Sequence, residues 1–169
     1  ETNKTTQAPS YLEHKGKFKG LAGWIFSTDH KRIGLLYLYA IIVFFLFAAI
    51  LGLLMRIELI SPGETIMDPQ TYNGIFTVHG IIMVFIIVIP GLGAVFGNFF
   101  LPIHLGAKDV AFPKLNLLSW WIYMVGAILA LVSQFVGPGA PDTGWTFYVP
   151  YSAESATSVI TALTAAFIL

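Results

Sequence analysis

The sequence predicts an all-α fold, a polytopic bundle of transmembrane helices. Three observations carry that prediction. The chain of 169 residues is 56% hydrophobic and only 11% charged, where a soluble domain is nearer half apolar and a quarter charged. Its mean hydropathy is +0.77. The few charges cluster, and they leave uncharged stretches between them. A hydrocarbon core about 30 Å thick needs stretches of roughly 20 helical residues.

Taken in order, residues 1–26 read as a cytoplasmic N-terminal tail and residues 27–169 as the transmembrane region. The tail is polar and dotted with lysine. It lacks the apolar core and small-residue cleavage site of a secretory signal. The first expected span is Ile33 to Met55, bounded by Asp29-His30-Lys31-Arg32 and by Arg56. The second is Gly74 to Leu101, free of carboxylate, Lys and Arg but holding His79, Pro90 and Asn98. The third is Leu117 to Val136. A fourth begins near Thr157 and is still apolar at Leu169, covering only about 20 Å at 1.5 Å per residue. A helix ending there would leave carbonyls unpaired in hydrocarbon. The expectation is therefore a fragment of a longer subunit, or a bundle completed by another chain.

Lysine and arginine set the expected orientation. Lys4, Lys15, Lys17, Lys19, Lys31 and Arg32 precede the first span, and Lys108 and Lys114 lie between the second and third. The other connections hold Arg56 alone among basic residues, with Glu58, Glu64, Asp68, Asp142 and Glu154. The positive-inside rule puts the N-terminus and loop 102–116 in the cytoplasm, and loops 56–73 and 137–156 outside. The outer loops carry the turn runs Ser61-Pro62-Gly63 and Gly137-Pro138-Gly139-Ala140-Pro141-Asp142. Zero net charge suggests no nucleic-acid partner. The absence of cysteine excludes disulfides, thiolate metal sites and a catalytic thiol in this chain.

Several residues could carry chemistry. His79 reads either as a hydrogen-bonded histidine near the interface or as a ligand. Ionisable groups in a span are costly and mark function, and neutral imidazole suits haem iron. Gly80 beside it leaves room for a flat macrocycle. Gly93 and Gly97 form a small-xxx-small pair of the sort that admits a close helix. Arg56 reads as an interfacial anchor, or as a donor to a carbonyl on a cofactor held at similar depth by His79. Asn98, Asp109 and Asn116 read as ordinary loop polars, or as a proton entry in which a carboxylate collects protons and amides order water. Trp120, Trp121, Trp145, Tyr148 and Tyr151 are expected at the interfaces.

These residues in turn resemble a known family. Ser27-Thr28-Asp29-His30-Lys31-Arg32-Ile33-Gly34 is similar to the start of subunit I of A-type haem–copper terminal oxidases. So are Arg56-Ile57-Glu58-Leu59 with Pro62-Gly63, and Tyr72-Asn73 with Thr77-Val78-His79-Gly80, Met83 and Phe85. Gly97-Asn98-Phe99-Phe100-Leu101-Pro102 and Gly106-Ala107-Lys108-Asp109-Val110-Ala111-Phe112-Pro113 match the following loop. Asp142-Thr143-Gly144-Trp145-Thr146 with Tyr148 and Pro150 matches the outer loop after the third helix. The five motifs run in order from Thr28 to Tyr151.

The resemblance implies the first three spans, and the start of the fourth, of a subunit I fold. It implies a cytochrome c oxidase that reduces O₂ to water and pumps protons, active only as the full subunit in its complex. His79 resembles an axial ligand of low-spin haem A, Arg56 the arginine near its formyl group, and Trp145 a tryptophan near haem propionates. Glu58 and Gly63 resemble a peripheral Ca or Na site. Asp109, Asn98 and Asn116 resemble the entrance of the D proton pathway. The family often has two adjacent asparagines where this chain has Asn116-Leu117, so one amide is missing. The second low-spin haem ligand, the high-spin haem ligand and the copper B histidines belong to sequence beyond residue 169. Expected partners are subunits II and III, cytochrome c through subunit II, and the lipid bilayer of a bacterial inner (plasma) membrane, preferred over the mitochondrial one. A quinol oxidase of the same fold is the alternative, and a non-redox transporter segment is the reading from a different class.

Overall fold

The computed structural model describes residues 20–136, 140–155 and 159–169. Helices are the only regular elements among them: α1 (Gly20–Ile25), α2 (His30–Glu58), α3 (Pro69–Leu105), α4 (Pro113–Val132), α5 (Tyr151–Glu154) and α6 (Val159–Ile168). Three of them, α2, α3 and α4, are long and apolar enough to cross a membrane. The polytopic all-α expectation holds.

Each long helix overruns its expected span at the start, because polar residues extend it past the apolar stretch. Asp29 caps α2, its side chain accepting from the Lys31 and Arg32 amides at 2.9 and 3.2 Å. Pro69 opens α3 and Pro113 opens α4, each in the first turn, where a missing N–H costs nothing. Gly106, in the left-handed region at φ 65°, closes α3. The start of the fourth expected span, 156–158, lies outside the described residues, as do residues 1–19 of the expected tail. The last part of that tail is helix α1. It is held to α2 by Arg32, which stacks on Trp24 at 5.4 Å and donates to the Gly23 carbonyl at 3.1 Å.

α3 has 37 residues, well over the roughly 20 that a helix needs to cross the hydrocarbon. Ile82–Val88 and Gly91–Phe96 are wound as π-helix, either side of Pro90. Pro90 has no N–H to give the Ile86 carbonyl. The Tyr123 hydroxyl of α4 donates to that oxygen instead, at 3.1 Å.

The core joins all four longer helices. Ile33, Tyr37 and Ala48 of α2 meet Ile82 and Ile86 of α3, with Trp120 and Tyr123 of α4. Trp120, expected at an interface, is buried edge-on against Tyr37 at 5.2 Å. α4 and α6 approach through Ala127, Ala130, Ala162 and Ala165, where small side chains let backbones close up. Gly93 and Gly97 meet nothing within 4 Å, so their expected close helix is not among the described residues.

Loop 59–68 is organised by Glu58. This carboxylate is 7% exposed. It accepts from the Thr65, Ile66 and Met67 amides at 2.9, 2.7 and 3.0 Å. Thr65 Oγ1 donates to the Glu58 carbonyl at 3.0 Å. Glu58→Ala is expected to leave the Thr65, Ile66 and Met67 amides without their carboxylate partner and so to loosen the loop. Limited proteolysis should then cut loop 59–68 faster than in the parent. An unchanged cleavage rate would remove this role.

Candidate functional site

His79 lies on α3 facing α2. Its Nδ1 is 2.9 Å from the Ala48 carbonyl oxygen. A carbonyl only accepts, so Nδ1 carries the proton and donates. In neutral imidazole this leaves Nε2 with a free lone pair, the state a metal-binding histidine needs. Gly52, one turn on from Ala48, makes room: a Cβ there would sit 3.2 Å from His79 Cε1. The ring is half-buried. A histidine held this way keeps Nε2 available to a metal, so the residue fits haem iron in its chemistry.

The neighbours differ from expectation in one respect. Gly80 was expected to admit a macrocycle, but it faces Trp145, whose Cδ1 would lie 2.7 Å from a Cβ at that position. The glycine is needed for the indole. Trp145 therefore lies on the residue next to His79, with Phe85 edge-on at 6.3 Å. Arg56 is exposed one turn beyond Gly52, about 6 Å further along α2.

At the other end, Asn98 and Asn116 face each other. Asn98 Nδ2 donates to Asn116 Oδ1 at 3.2 Å, and Asn116 Nδ2 donates back to Asn98 Oδ1. Asn98 also donates to the Ala94 carbonyl at 2.7 Å. Gly34 admits this close approach, since a Cβ there would sit 3.1 Å from Asn98 Cβ. Asn98→Leu is expected to leave the Asn116 amide unpaired and lower stability by about 1–3 kcal/mol. Thermal unfolding of the complex checks it, and an unshifted midpoint would show the pair to be idle.

Three residues that the motif reading left without a role join this end. Buried His30 meets Asp109, Nδ1 to Oδ1, at 3.0 Å, and Asp109 Oδ1 also accepts from the Val110 amide at 2.7 Å. Ser119 Oγ donates to the Asn116 carbonyl at 2.7 Å and lies 3.0 Å from the Tyr37 hydroxyl. Asn98, Asn116, Ser119 and Tyr37 thus form a continuous polar line. It opens on a groove of about 420 Å³ lined by Tyr37, Ser119, Tyr123, Pro90 and Gly93.

Glu58 and Gly63 look less like a cation site. Gly63 holds a left-handed turn at φ 86°. Both Glu58 carboxylate oxygens already face peptide N–H groups. Among the described residues, no three His, Cys, Asp or Glu side chains are grouped to hold a metal ion. In this arrangement the carboxylate's bonds go to the loop backbone.

The family model for cytochrome c and quinol oxidase polypeptide I matches residues 32–169. The chain belongs to this family. The cytochrome c oxidase subunit 1 of Alkalihalophilus pseudofirmus is 45% identical over 131 residues, covering 78% of this chain and 21% of that protein. A probable cytochrome c oxidase subunit 1-alpha of Streptomyces avermitilis is 43% identical over 129 residues, covering 76% of this chain and 22% of its own length. A heme-copper oxidase subunit I+III of Aeropyrum pernix is 43% identical over 134 residues, covering 78% and 16%. The polypeptide I chain described here thus spans about a fifth of the length of these curated relatives. Its matched region includes His79, Trp145 and the Asn98–Asn116 pair.

Proposed function

We propose that this chain is the haem-anchoring and proton-admitting part of the catalytic subunit of a respiratory terminal oxidase. The complete enzyme reduces O₂ to water with electrons from cytochrome c and translocates protons. The observation that carries the reading is the His79–Ala48 hydrogen bond, which leaves Nε2 to bind iron. A haem bound there stores and passes on one electron at a time. The chain's own part is to hold the imidazole in one tautomer, and to place Trp145 and Arg56 where propionate and formyl groups of haem A would lie.

Asp109 takes up protons from the cytoplasm, with His30 as its hydrogen-bond partner. Water then bridges to the amide pair and to Ser119 and Tyr37, in a groove roomy enough for several molecules. The single amide at Asn116-Leu117 gives this entrance fewer fixed donors than a pair would. Copper B, the high-spin haem and the second axial ligand are supplied by the rest of the subunit.

The names of the relatives favour cytochrome c as donor, and the fused I+III relative favours a subunit III partner; subunit II is the proposed route for the electrons. The bacterial relatives and the basic N-terminal flank favour a bacterial plasma membrane with the N-terminus cytoplasmic. A reduced-minus-oxidised optical spectrum of the assembled complex tests the reading. Low-spin haem bands are expected. Their absence would leave a non-redox membrane bundle, and oxidation of quinol but not of cytochrome c would change the donor.

A further inference from the structure

We infer that Thr77 is a positioning residue whose buried hydroxyl fastens the loop over residues 140–155 to α3 and thereby sets Trp145 beside His79. The inference rests on the haem-ligand reading of His79 and adds to it a residue that fixes the surroundings of the ligand.

Thr77 is fully buried. Its Oγ1 donates to the Asn73 carbonyl at 2.8 Å, one turn back along α3. A helical threonine often ends its bonding there. Here the same oxygen also accepts the Gly144 amide at 2.9 Å, from a residue far away in sequence. Gly144 has φ 77°, in the left-handed region. It turns the chain so that the next residue, Trp145, lies on Gly80.

The loop crosses α3 over three positions, each three residues on from the last. A Cβ on Gly74 would sit 2.9 Å from Ala140 Cβ, and one on Gly80 would sit 2.7 Å from Trp145 Cδ1. Thr77 lies between these two bare glycines and supplies the hydrogen bond. The far part of the loop has its own clasp. Asp142 accepts from Gln70 Nε2 at 3.0 Å, from the Tyr151 hydroxyl at 2.7 Å and from Ser155 Oγ at 2.9 Å. That clasp lies away from Gly144, whose carbonyl accepts within the loop from the Phe147 amide at 3.4 Å; the bond from Gly144 across to α3 is the one Thr77 accepts.

Trp145 itself is 39% exposed, so packing within this chain holds only part of it. Groups around a haem tune its potential and spectrum through polarity and hydrogen bonding. A small shift of the indole therefore registers at the haem, while the iron ligand stays in place.

The test uses the full oxidase complex with Thr77→Val and Thr77→Ser. Valine keeps the shape and removes the acceptor; serine restores it. The expected result is a shifted low-spin band and midpoint potential in T77V, with haem content unchanged, and wild-type values in T77S. Equal spectra and potentials in T77V and the parent would overturn the inference. So would a T77S variant that behaves like T77V, since the methyl group and not the hydroxyl would then matter. Amide hydrogen exchange at Gly144 gives a readout that does not depend on haem. In the parent it should be slower by roughly tenfold or more than at an open loop amide, and loop-like exchange there would equally overturn the inference, even if T77V failed to assemble. Should His79→Ala keep the low-spin band, the haem reading fails, while the Gly144 exchange still decides whether Thr77 fastens the loop.

Discussion

His79→Ala in the assembled oxidase is expected to abolish the low-spin haem band and with it electron transfer from the donor, while the subunit still inserts. Two ring nitrogens decide the outcome. Nδ1 is committed to the Ala48 carbonyl at 2.9 Å, so Nε2 is the only ring atom left to bind iron. Alanine removes both functions and puts nothing in their place. The fold should tolerate the change, because the ring is only half-buried and α2 and α3 meet through Ala48, Ile81, Ile82 and Ile86 independently of it. Optical difference spectra and haem extraction, set against the amount of subunit in the membrane, check the outcome. A variant with its full low-spin band would mean that iron is held elsewhere.

Asp109→Asn should slow proton uptake and turnover by about tenfold or more with haem content intact. The asparagine is nearly isosteric. It can still meet His30 and the Val110 amide, but it cannot take up and release a proton. A positioned proton carrier typically contributes about 10²–10⁴-fold to the step it serves, so a loss of about tenfold is the smallest effect expected if that step limits turnover only in part. Proton uptake by the reconstituted complex, followed with a pH dye, gives the rate. Loss of haem alongside the loss of rate would make Asp109 a structural residue. The clasp of the 140–155 loop should respond differently to pH. The hydrogen bond to Asp142, aided by that group's negative charge, raises the Tyr151 hydroxyl above its ordinary value. Its contribution is present at neutral pH and is lost only as pH rises through that raised value.

The spans were legible because apolar length and charge clustering are set by the bilayer itself. Their ends were less so. Asp29, Pro69 and Pro113 extend helices into polar sequence by capping, which hydropathy does not register. The site was legible in part. Asn98 and Asn116 stood out as amides beside apolar stretches, yet nothing in their spacing showed that they bond reciprocally. That needs Gly34 to bring α3 against α2. His30 stands among the charges that bound the first span, where nothing in the sequence singles it out. Tyr37 lies within the apolar run of that span and carries no motif of its own. The signal that could have found both is their separation by two helical turns, which places them on one face of α2. Ser119, three residues after Asn116, shares a face of α4 in the same way. Gly80 was misassigned because a glycine announces that something comes close without saying what, and here it is an indole.

The bond from Tyr123 to Ile86 next to Pro90 has a mechanical consequence. It lies midway along α3, where hydrocarbon offers no substitute donor. Sliding α4 by a single turn would take the tyrosine hydroxyl away from that oxygen, so the bond favours one register of α4 against α3 beside the proline.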